Sequence, residues 1–110
     1  MPDPLKIPPH NKDAEMAVLG SIMVDTGALV RVLDMLRPED FYHTEHTIIY
    51  QTMMDLFEKS APLDILSVQA DLGEKKQLDR AGGMSYLTTL VNAVGSPAHI
   101  SHYASIVKKK

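Results

Sequence analysis

Residues 36–42 read Leu36-Arg37-Pro38-Glu39-Asp40-Phe41-Tyr42. The fold of this 110-residue chain is organised around this stretch and the apolar segment that follows it. Pro38 fixes its own φ and disfavours helical geometry at Arg37, so a preceding helix is expected to end there. The two acidic residues after the proline suit the first turn of a short helix, where negative charge lies close to free N–H groups. The stretch therefore predicts a turn between two helices.

The segment from His43 to Lys59 is predicted to be the central helix. Its apolar and aromatic residues recur at helical spacing on two neighbouring faces: Ile49, Met53, Leu56 and Phe57 on one, and His46, Tyr50 and Met54 on the other. A helix that is apolar over so much of its surface is expected to have other helices on several sides. It contains no nucleophile paired with a base, so a core role is favoured over a catalytic one.

Helical periodicity with start and stop signals predicts five more helices, and no segment alternates with the period of a β-strand. The signals are Asn11 as N-cap with Asp13 and Glu15 in the first turn, the break Asp25-Thr26-Gly27, Asp64 as N-cap of a helix that weakens or ends at Gly73, the break Gly82-Gly83, Gly95 as C-cap, and Ser96-Pro97 as N-cap and N1. Small residues in the first helix (Ala14, Ala17, Gly20 and Ser21) allow another helix to approach closely. Residues 1–10 contain four prolines and are predicted to form an extended arm, which is either a disordered tail or lies along the domain surface at Ile7-Pro8-Pro9. The predicted fold class is all-α, a compact domain of about six helices.

Composition restricts the functional class. Hydrophobic residues make up 45% of the chain, which is enough to build the core of one domain. The net charge is −3, whereas a free-standing DNA-binding domain is usually basic, so nucleic acid is not the expected partner of this surface. There are no cysteines, which excludes disulfides and thiolate metal sites and fits a reducing cytoplasm. No apolar run approaches the roughly 20 residues that span a bilayer, so no membrane partner is expected.

Candidate chemistry is sparse. The sequence contains no Gly-x-x-x-x-Gly-Lys-Ser/Thr phosphate loop and no Gly-x-Gly-x-x-Gly, so no catalytic residue or cofactor site is predicted in this domain. The histidine pairs His43/His46 and His99/His102 each place two imidazoles on one helix face. A structural or surface role is favoured for them over a metal site or a pH-sensitive contact. The basic cluster Lys75, Lys76 and Arg80 is interpreted as a solvated face, with phosphate contact as the alternative.

The last predicted helix has two apolar faces. One face carries Ile100, Tyr103, Ala104 and Val107, and an adjacent face carries His99, Tyr103 and Ile106 with His102 at its margin. One face is enough to bury a helix on its own domain. The second face is therefore expected to pack against a following segment or against another protomer.

Several segments together resemble the N-terminal domain of bacterial DnaB-type replicative DNA helicases. They cover roughly residues 7–107 in order: 8–25 (PPHNKDAEMAVLGSIMVD), 36–42 (LRPEDFY) with His46 and Ile49-Tyr50 after it, 62–64 (PLD), 77–79 (QLD), 82–87 (GGMSYL) and 103–107 (YASIV). The sequence departs from the family pattern at Met16, at Thr44-Glu45, at Lys76, where a turn glycine is common, and at Gly95, Pro97 and His99. These departures leave open the shape of the turn at Lys76 and of the entry into the last helix.

The resemblance implies that assembly and catalysis belong to different domains of the full-length protein. The full chain of such helicases joins this helical domain to a RecA-like ATPase, absent from this chain, which forms a ring hexamer on single-stranded DNA and unwinds the duplex at the fork with ATP and Mg²⁺. The N-terminal domain supplies no catalytic residue. It forms a collar built from dimers and helps to hold primase, and a helicase loader is a further candidate partner. The expected location is the bacterial cytoplasm. The alternative is a stand-alone helical adaptor or inhibitor that binds such a helicase or its primase.

The resemblance also assigns regions and residues. Residues 11–95 would form a helical globular head, and residues 96–110 the first arm of a truncated helical hairpin that pairs protomers. His99, His102, Tyr103 and Ile106 are the candidates for the protomer interface, and Tyr86 is the candidate for a primase-responsive surface. A core tyrosine with a bonded hydroxyl is the alternative for Tyr86. Ile106→Asp is expected to leave the fold intact and to weaken self-association.

Overall fold

The computed structural model describes residues 12–25, 27–94 and 97–109, and within these ranges the chain is helical, without a strand. The α-helices are α1 (Lys12–Val24), α2 (Ala28–Val32), α3 (Thr44–Glu58), α4 (Ile65–Glu74), α5 (Gly83–Asn92) and α6 (Ile100–Lys109), with 3-10 helices at Pro38–Asp40 and Pro97–His99. The predicted all-α fold of about six helices is confirmed. The predicted arm at 1–10 and the N-cap Asn11 lie outside the described residues. None of the described helices is long and apolar enough to cross a membrane.

The turn before α3 has the predicted form. Arg37 is extended (φ −113°, ψ 160°), as expected for a residue that precedes proline. Its N–H donates to the Asp40 carboxylate at 2.8 Å, which closes the short 3-10 helix. Phe41 then turns into the core with 4% of its surface exposed, and α3 begins at Thr44 with His43 as its cap.

Helix α3 is the central helix that the sequence predicts. Seven of its residues are buried: His46, Ile48, Ile49, Tyr50, Thr52, Met53 and Leu56. The prediction was wrong for Phe57, which is 40% exposed. At 3.6 residues per turn, Phe57 lies about 80° around the helix from Ile49, at the margin of the buried face.

Helix α1 packs against α3, α5 and α6, and its small residues permit a close approach by α5. A Cβ atom at Gly20 would overlap the carbonyl oxygen of Leu90 and would lie 2.5 Å from the Val94 side chain. The backbone of α5 therefore lies directly against Gly20. The predicted close approach of a second helix to the small residues of α1 is confirmed.

Helix ends differ from the prediction at several points. The regular part of α2 stops at Val32, although Leu36 beyond it is still buried. Helix α4 starts as predicted, since the Asp64 carboxylate accepts the Ser67 N–H at 2.8 Å, but it continues through Gly73 to Glu74. Lys76 adopts a left-handed conformation (φ +60°), so the turn has the backbone shape that a glycine would favour.

The connection from α5 to α6 also differs. Helix α5 ends at Asn92 with Ala93 as C-cap, before the predicted stop at Gly95. Pro97 begins a 3-10 turn, a common form for the first turn of a helix, and α6 proper starts at Ile100. Gly95 and Ser96 lie outside the described residues.

Helix α6 packs against α1 and α2. Ile100, Ala104 and Val107 are buried, which confirms the first predicted face. The Lys108 ammonium lies 3.1 Å from the Asp40 carboxylate and ties the end of α6 to the turn before α3. The division of the chain into a helical head (11–95) and the first arm of a hairpin (96–110) stays a prediction.

The glycine at the α1–α5 crossing generates a stability prediction. Gly20→Ala is expected to lower the free energy of unfolding by about 1–3 kcal/mol, because the new methyl group overpacks the contact with α5. Gly73→Ala is the matched control, since its Cβ would meet nothing within 4 Å and the change should stabilise α4 by up to about 1 kcal/mol. Urea unfolding of both variants measures the difference. Equal stability of the two variants would contradict the close crossing.

Candidate functional site

Glu15 is a buried carboxylate in the first turn of α1, with no exposed surface. Its Oε2 accepts the backbone N–H of Tyr42 at 2.8 Å, and its Oε1 accepts that of His43 at 3.4 Å. Both donors belong to the turn before α3. The carboxylate therefore fastens this turn to α1 by main-chain hydrogen bonds.

His46 continues this contact from α3 towards α5. The imidazole is fully buried, its Nδ1 lies 2.7 Å from Glu15 Oε1, and its Nε2 lies 2.5 Å from the hydroxyl oxygen of Tyr86. Both ring nitrogens thus have partners on other helices. Glu15, His46 and Tyr86 form one hydrogen-bonded polar chain that links α1, α3 and α5.

The electrostatics of the polar chain fix two of its protonation states. Burial opposes ionisation of Glu15, but the hydrogen bonds from His46 and from the Tyr42 and His43 amides outweigh it and lower the pKa of the carboxyl group. Burial, with the nearby charges of Glu45 and Glu15, raises the pKa of Tyr86 to about 12. At neutral pH, Glu15 is a carboxylate and Tyr86 is a protonated phenol.

Tyr86 is held by its ring as well as by its hydroxyl. The ring is nearly parallel to the imidazole of His46, with an angle of 11° between the planes and 5.8 Å between the centroids. Gly82, at φ +103°, provides the space, because a Cβ there would lie 2.7 Å from the Cβ of Tyr86. The break predicted at Gly82-Gly83 is thus the feature that admits this tyrosine.

Tyr86 has the bonded hydroxyl of a core tyrosine but is not fully covered by the domain, since the residue as a whole is only half-buried. Met84, 38% exposed, lies on the same first turn of α5. The first turn of α5 therefore carries a fixed aromatic side chain and, on a different face of the helix, an exposed apolar one. Contact with primase at this place stays a prediction.

The four residues predicted for protomer pairing lie together, with His99 at the end of the 3-10 turn Pro97–His99 and the other three on α6. His99 and His102 are exposed, and their rings lie 6.5 and 6.0 Å from that of Tyr103. Tyr103 and Ile106 are half-buried and pack against the core of the same chain. The second face is thus partly covered by the domain itself, and its outer part is formed by the two histidines. Among residues 12–25, 27–94 and 97–109, no three His, Cys, Asp or Glu side chains are grouped to hold a metal.

Sequence reasoning missed the roles of Glu15 and His46. From the sequence, Glu15 is interpreted only as favourable charge for the helix start. His46 is interpreted as part of a stripe on the central helix and, with His43, as a histidine with a structural or surface role, without its partners. One signal was available, since Glu15 shares a helix face with Leu19 and Ile22, four and seven residues later. A carboxylate on a buried face needs a hydrogen-bonding partner. Its partner lies 31 residues away, where no local pattern identifies it.

The lowered pKa of Glu15 predicts how stability depends on pH. Its ordinary value is 4.5, so the stabilisation by the carboxylate is complete above that pH and is lost as the pH falls through the lower value of the folded state. Glu15→Gln should therefore be less stable than the unmodified chain at pH 7, by about 1–3 kcal/mol. The difference in the free energy of unfolding between the two proteins should narrow below pH 4.5. Urea unfolding from pH 7 to 3 measures it, and a gap independent of pH would contradict the prediction.

Comparison with known proteins agrees with this geometry. The model of the family described as "DnaB-like helicase N terminal domain" matches residues 7–109. The chain is 41% identical over 105 residues to the replicative DNA helicase DnaB of Geobacillus stearothermophilus and 40% identical over 105 residues to the replicative DNA helicase DnaC of Bacillus subtilis. Each match covers 96% of this chain but only 23% of the relative. The chain thus spans about a quarter of the length of these relatives.

Solved structures lead to the same family. The crystal structure of the N-terminal domain of the DnaB helicase from Mycobacterium tuberculosis superposes with a TM-score of 0.91 at 39% identity, over 94% of this chain and 74% of that one. A DnaB-like replicative helicase, solved to describe its interactions with primase, superposes with a TM-score of 0.80 at 37% identity, over 90% of this chain and 23% of that one. This chain belongs to the family of DnaB-like helicase N-terminal domains.

Proposed function

We propose that this chain is the N-terminal assembly and primase-interaction domain of a hexameric replicative DNA helicase, which in full length unwinds duplex DNA at the replication fork using ATP. The observation that carries the proposal is the likeness, over 94% of the chain, to the N-terminal domain of a DnaB helicase. The relatives matched at about 40% identity are replicative helicases, which favours this function over a stand-alone adaptor or inhibitor.

The proposal assigns catalysis to a part of the protein outside this chain. ATP and Mg²⁺ would bind in an ATPase domain, and single-stranded DNA would be bound through the full-length hexamer. The net charge of −3 suits a domain whose partners are proteins. A helicase loader is a further candidate partner, and the bacterial cytoplasm is the proposed location.

Self-association is proposed to use the outer face of α6. Exposed His99 and His102 lie beside the half-buried Tyr103 and Ile106, so one helix face offers both polar and apolar contacts. A face of this kind suits pairing with a second copy, in which the same residues meet across a two-fold axis. The dimer would be the building block of the hexamer.

Ile106→Asp is expected to weaken self-association about tenfold or more, because it places a carboxylate where the two apolar faces would meet. Sedimentation velocity at matched protein concentrations measures the effect. Ile106 also packs against its own core, so circular dichroism must show that the variant is folded, and His102→Asp tests the same face from an exposed position. Ser101→Asp is the matched control, since it adds the same charge to an exposed position on another face of α6. Mass distributions unchanged in both variants would contradict the interface.

Primase contact is proposed at the start of α5. The half-buried ring of Tyr86, held by His46 and accommodated by Gly82, is an aromatic anchor of the kind that suits a helix laid against the surface. Aromatic residues fixed in this way often provide much of the binding energy of an interface. The positioning of Tyr86 by the polar chain therefore supports this location.

Tyr86→Ala is expected to weaken the binding of primase from the same organism about tenfold or more, since it removes the fixed ring. Isothermal titration calorimetry with the folded variant measures the loss. Leu66→Ala is the control, because Leu66 is an apolar side chain on α4 with 67% exposure and no assigned contact. Unchanged affinity of folded Tyr86→Ala would exclude this location, and failure of the unmodified chain to bind primase would contradict primase binding by this domain.

A further inference from the structure

The hydrogen bonds of the polar chain all donate in one direction, from Tyr86 through His46 to Glu15, and Glu15 determines that direction. The two carboxylate oxygens accept from different donors, Oε2 from the Tyr42 N–H at 2.8 Å, and Oε1 from His46 Nδ1 at 2.7 Å and from the His43 N–H at 3.4 Å. A carboxylate only accepts hydrogen bonds, so Nδ1 of His46 has to carry a hydrogen. In the neutral imidazole, Nε2 is then a bare acceptor and the Tyr86 hydroxyl has to donate to it.

We infer that Glu15 and His46 are positioning residues that fix the tautomer of the imidazole and so turn the Tyr86 hydroxyl hydrogen into the protein. A partner then meets Tyr86 as an aromatic ring and not as an O–H donor. The second half of the inference rests on the proposed primase contact, whereas the first half concerns this chain alone.

The direction of the hydroxyl has a consequence for specificity. With the O–H bonded to Nε2, the hydroxyl hydrogen is not available to a partner, and the half-buried Tyr86 offers its ring without a hydrogen-bond donor. A partner suited to this surface would bring apolar side chains rather than a hydrogen-bond acceptor. A hydroxyl hydrogen turned outward would instead be buried without an acceptor in the complex, which would weaken binding.

Glu15→Gln should reverse the donor and acceptor roles of the two ring nitrogens of His46. Glutamine has only one oxygen, and we expect it to stay with the Tyr42 main-chain N–H, because that hydrogen bond (2.8 Å) is much shorter than the one from the His43 main-chain N–H to the other oxygen (3.4 Å). The amide NH₂ group would then face Nδ1, which must become the bare nitrogen. His46 would carry its hydrogen on Nε2 and donate to the oxygen of Tyr86, so the hydroxyl hydrogen would turn outward.

The first experiment is long-range ¹H–¹⁵N NMR of the histidine rings in the 110-residue chain at neutral pH. The unmodified chain should show His46 with Nδ1 protonated and Nε2 bare, and Glu15→Gln should show the opposite tautomer. A protonated Nε2 in the unmodified chain would overturn the inference, whether the ring is neutral or charged. Unchanged His46 nitrogen signals in Glu15→Gln would overturn the role given to Glu15.

The second experiment measures primase affinity of the same variants. Tyr86→Phe should bind within about twofold of the unmodified chain, because the ring remains, whereas Glu15→Gln should bind severalfold more weakly although its side chain is buried. Tyr50→Phe is the matched control: the Tyr50 hydroxyl donates to the Leu36 carbonyl at 3.0 Å, within the core and outside the polar chain. It should lower the denaturant midpoint, as Tyr86→Phe should, while the His46 signals and primase affinity stay unchanged.

The two experiments separate the inference from the proposed function. Loss of primase binding in Tyr86→Phe would show that the hydroxyl is read by the partner, which overturns the inference and leaves the primase contact in place. Unchanged affinity of Glu15→Gln with a reversed tautomer would overturn the link from tautomer to partner. Absence of primase binding by the unmodified chain would remove the proposed function, and the NMR result would still decide whether Glu15 sets the tautomer.

Discussion

The buried carboxylate of Glu15 is the constraint on which the rest of this domain depends. An ionised group without exposed surface is tolerated only where its oxygens are hydrogen-bonded. Here the donors come from two main-chain amides and from the imidazole of His46. These donors lie 27 to 31 residues further along the chain, so α1, the turn before α3 and α3 itself have to be assembled together.

Other local features can be understood from this requirement. Pro38 and the Asp40 cap shape the turn so that the Tyr42 and His43 amides face α1. Gly20 lets α5 approach α1, and Gly82 makes room for Tyr86 at the end of the polar chain. The buried hydrogen bonds of the core consequently determine the surface at the start of α5. Its tyrosine is held from inside by the same hydrogen bonds that hold the helices together.

The sequence predicted the elements better than the connections between them. Helical periodicity predicted each of the six α-helices in the described part of the chain, because a helix with one buried face has apolar residues at regular spacing. It misjudged Phe57 and the ends of α2, α4 and α5, where neighbouring elements rather than local spacing decide which residues are covered. The pairing of Glu15 with His46 and of His46 with Tyr86 joins residues 31 and 40 positions apart, and local patterns contain no information on such contacts. Tyr86 itself was singled out only through the family resemblance, and the reason for its fixed position required the structure.

A double-mutant cycle between Glu15→Gln and Tyr86→Phe tests most directly whether the polar chain acts as one unit. Glu15 and Tyr86 are joined through His46, and hydrogen bonds in a chain strengthen one another. If the polar chain acts as one unit, urea unfolding at pH 7 should give a coupling free energy of about 0.5 kcal/mol or more. The effects of Glu15→Gln and Tyr50→Phe on the free energy of unfolding should be additive. Additivity of Glu15→Gln and Tyr86→Phe within about 0.3 kcal/mol would contradict this coupling and would reduce the polar chain to two independent contacts.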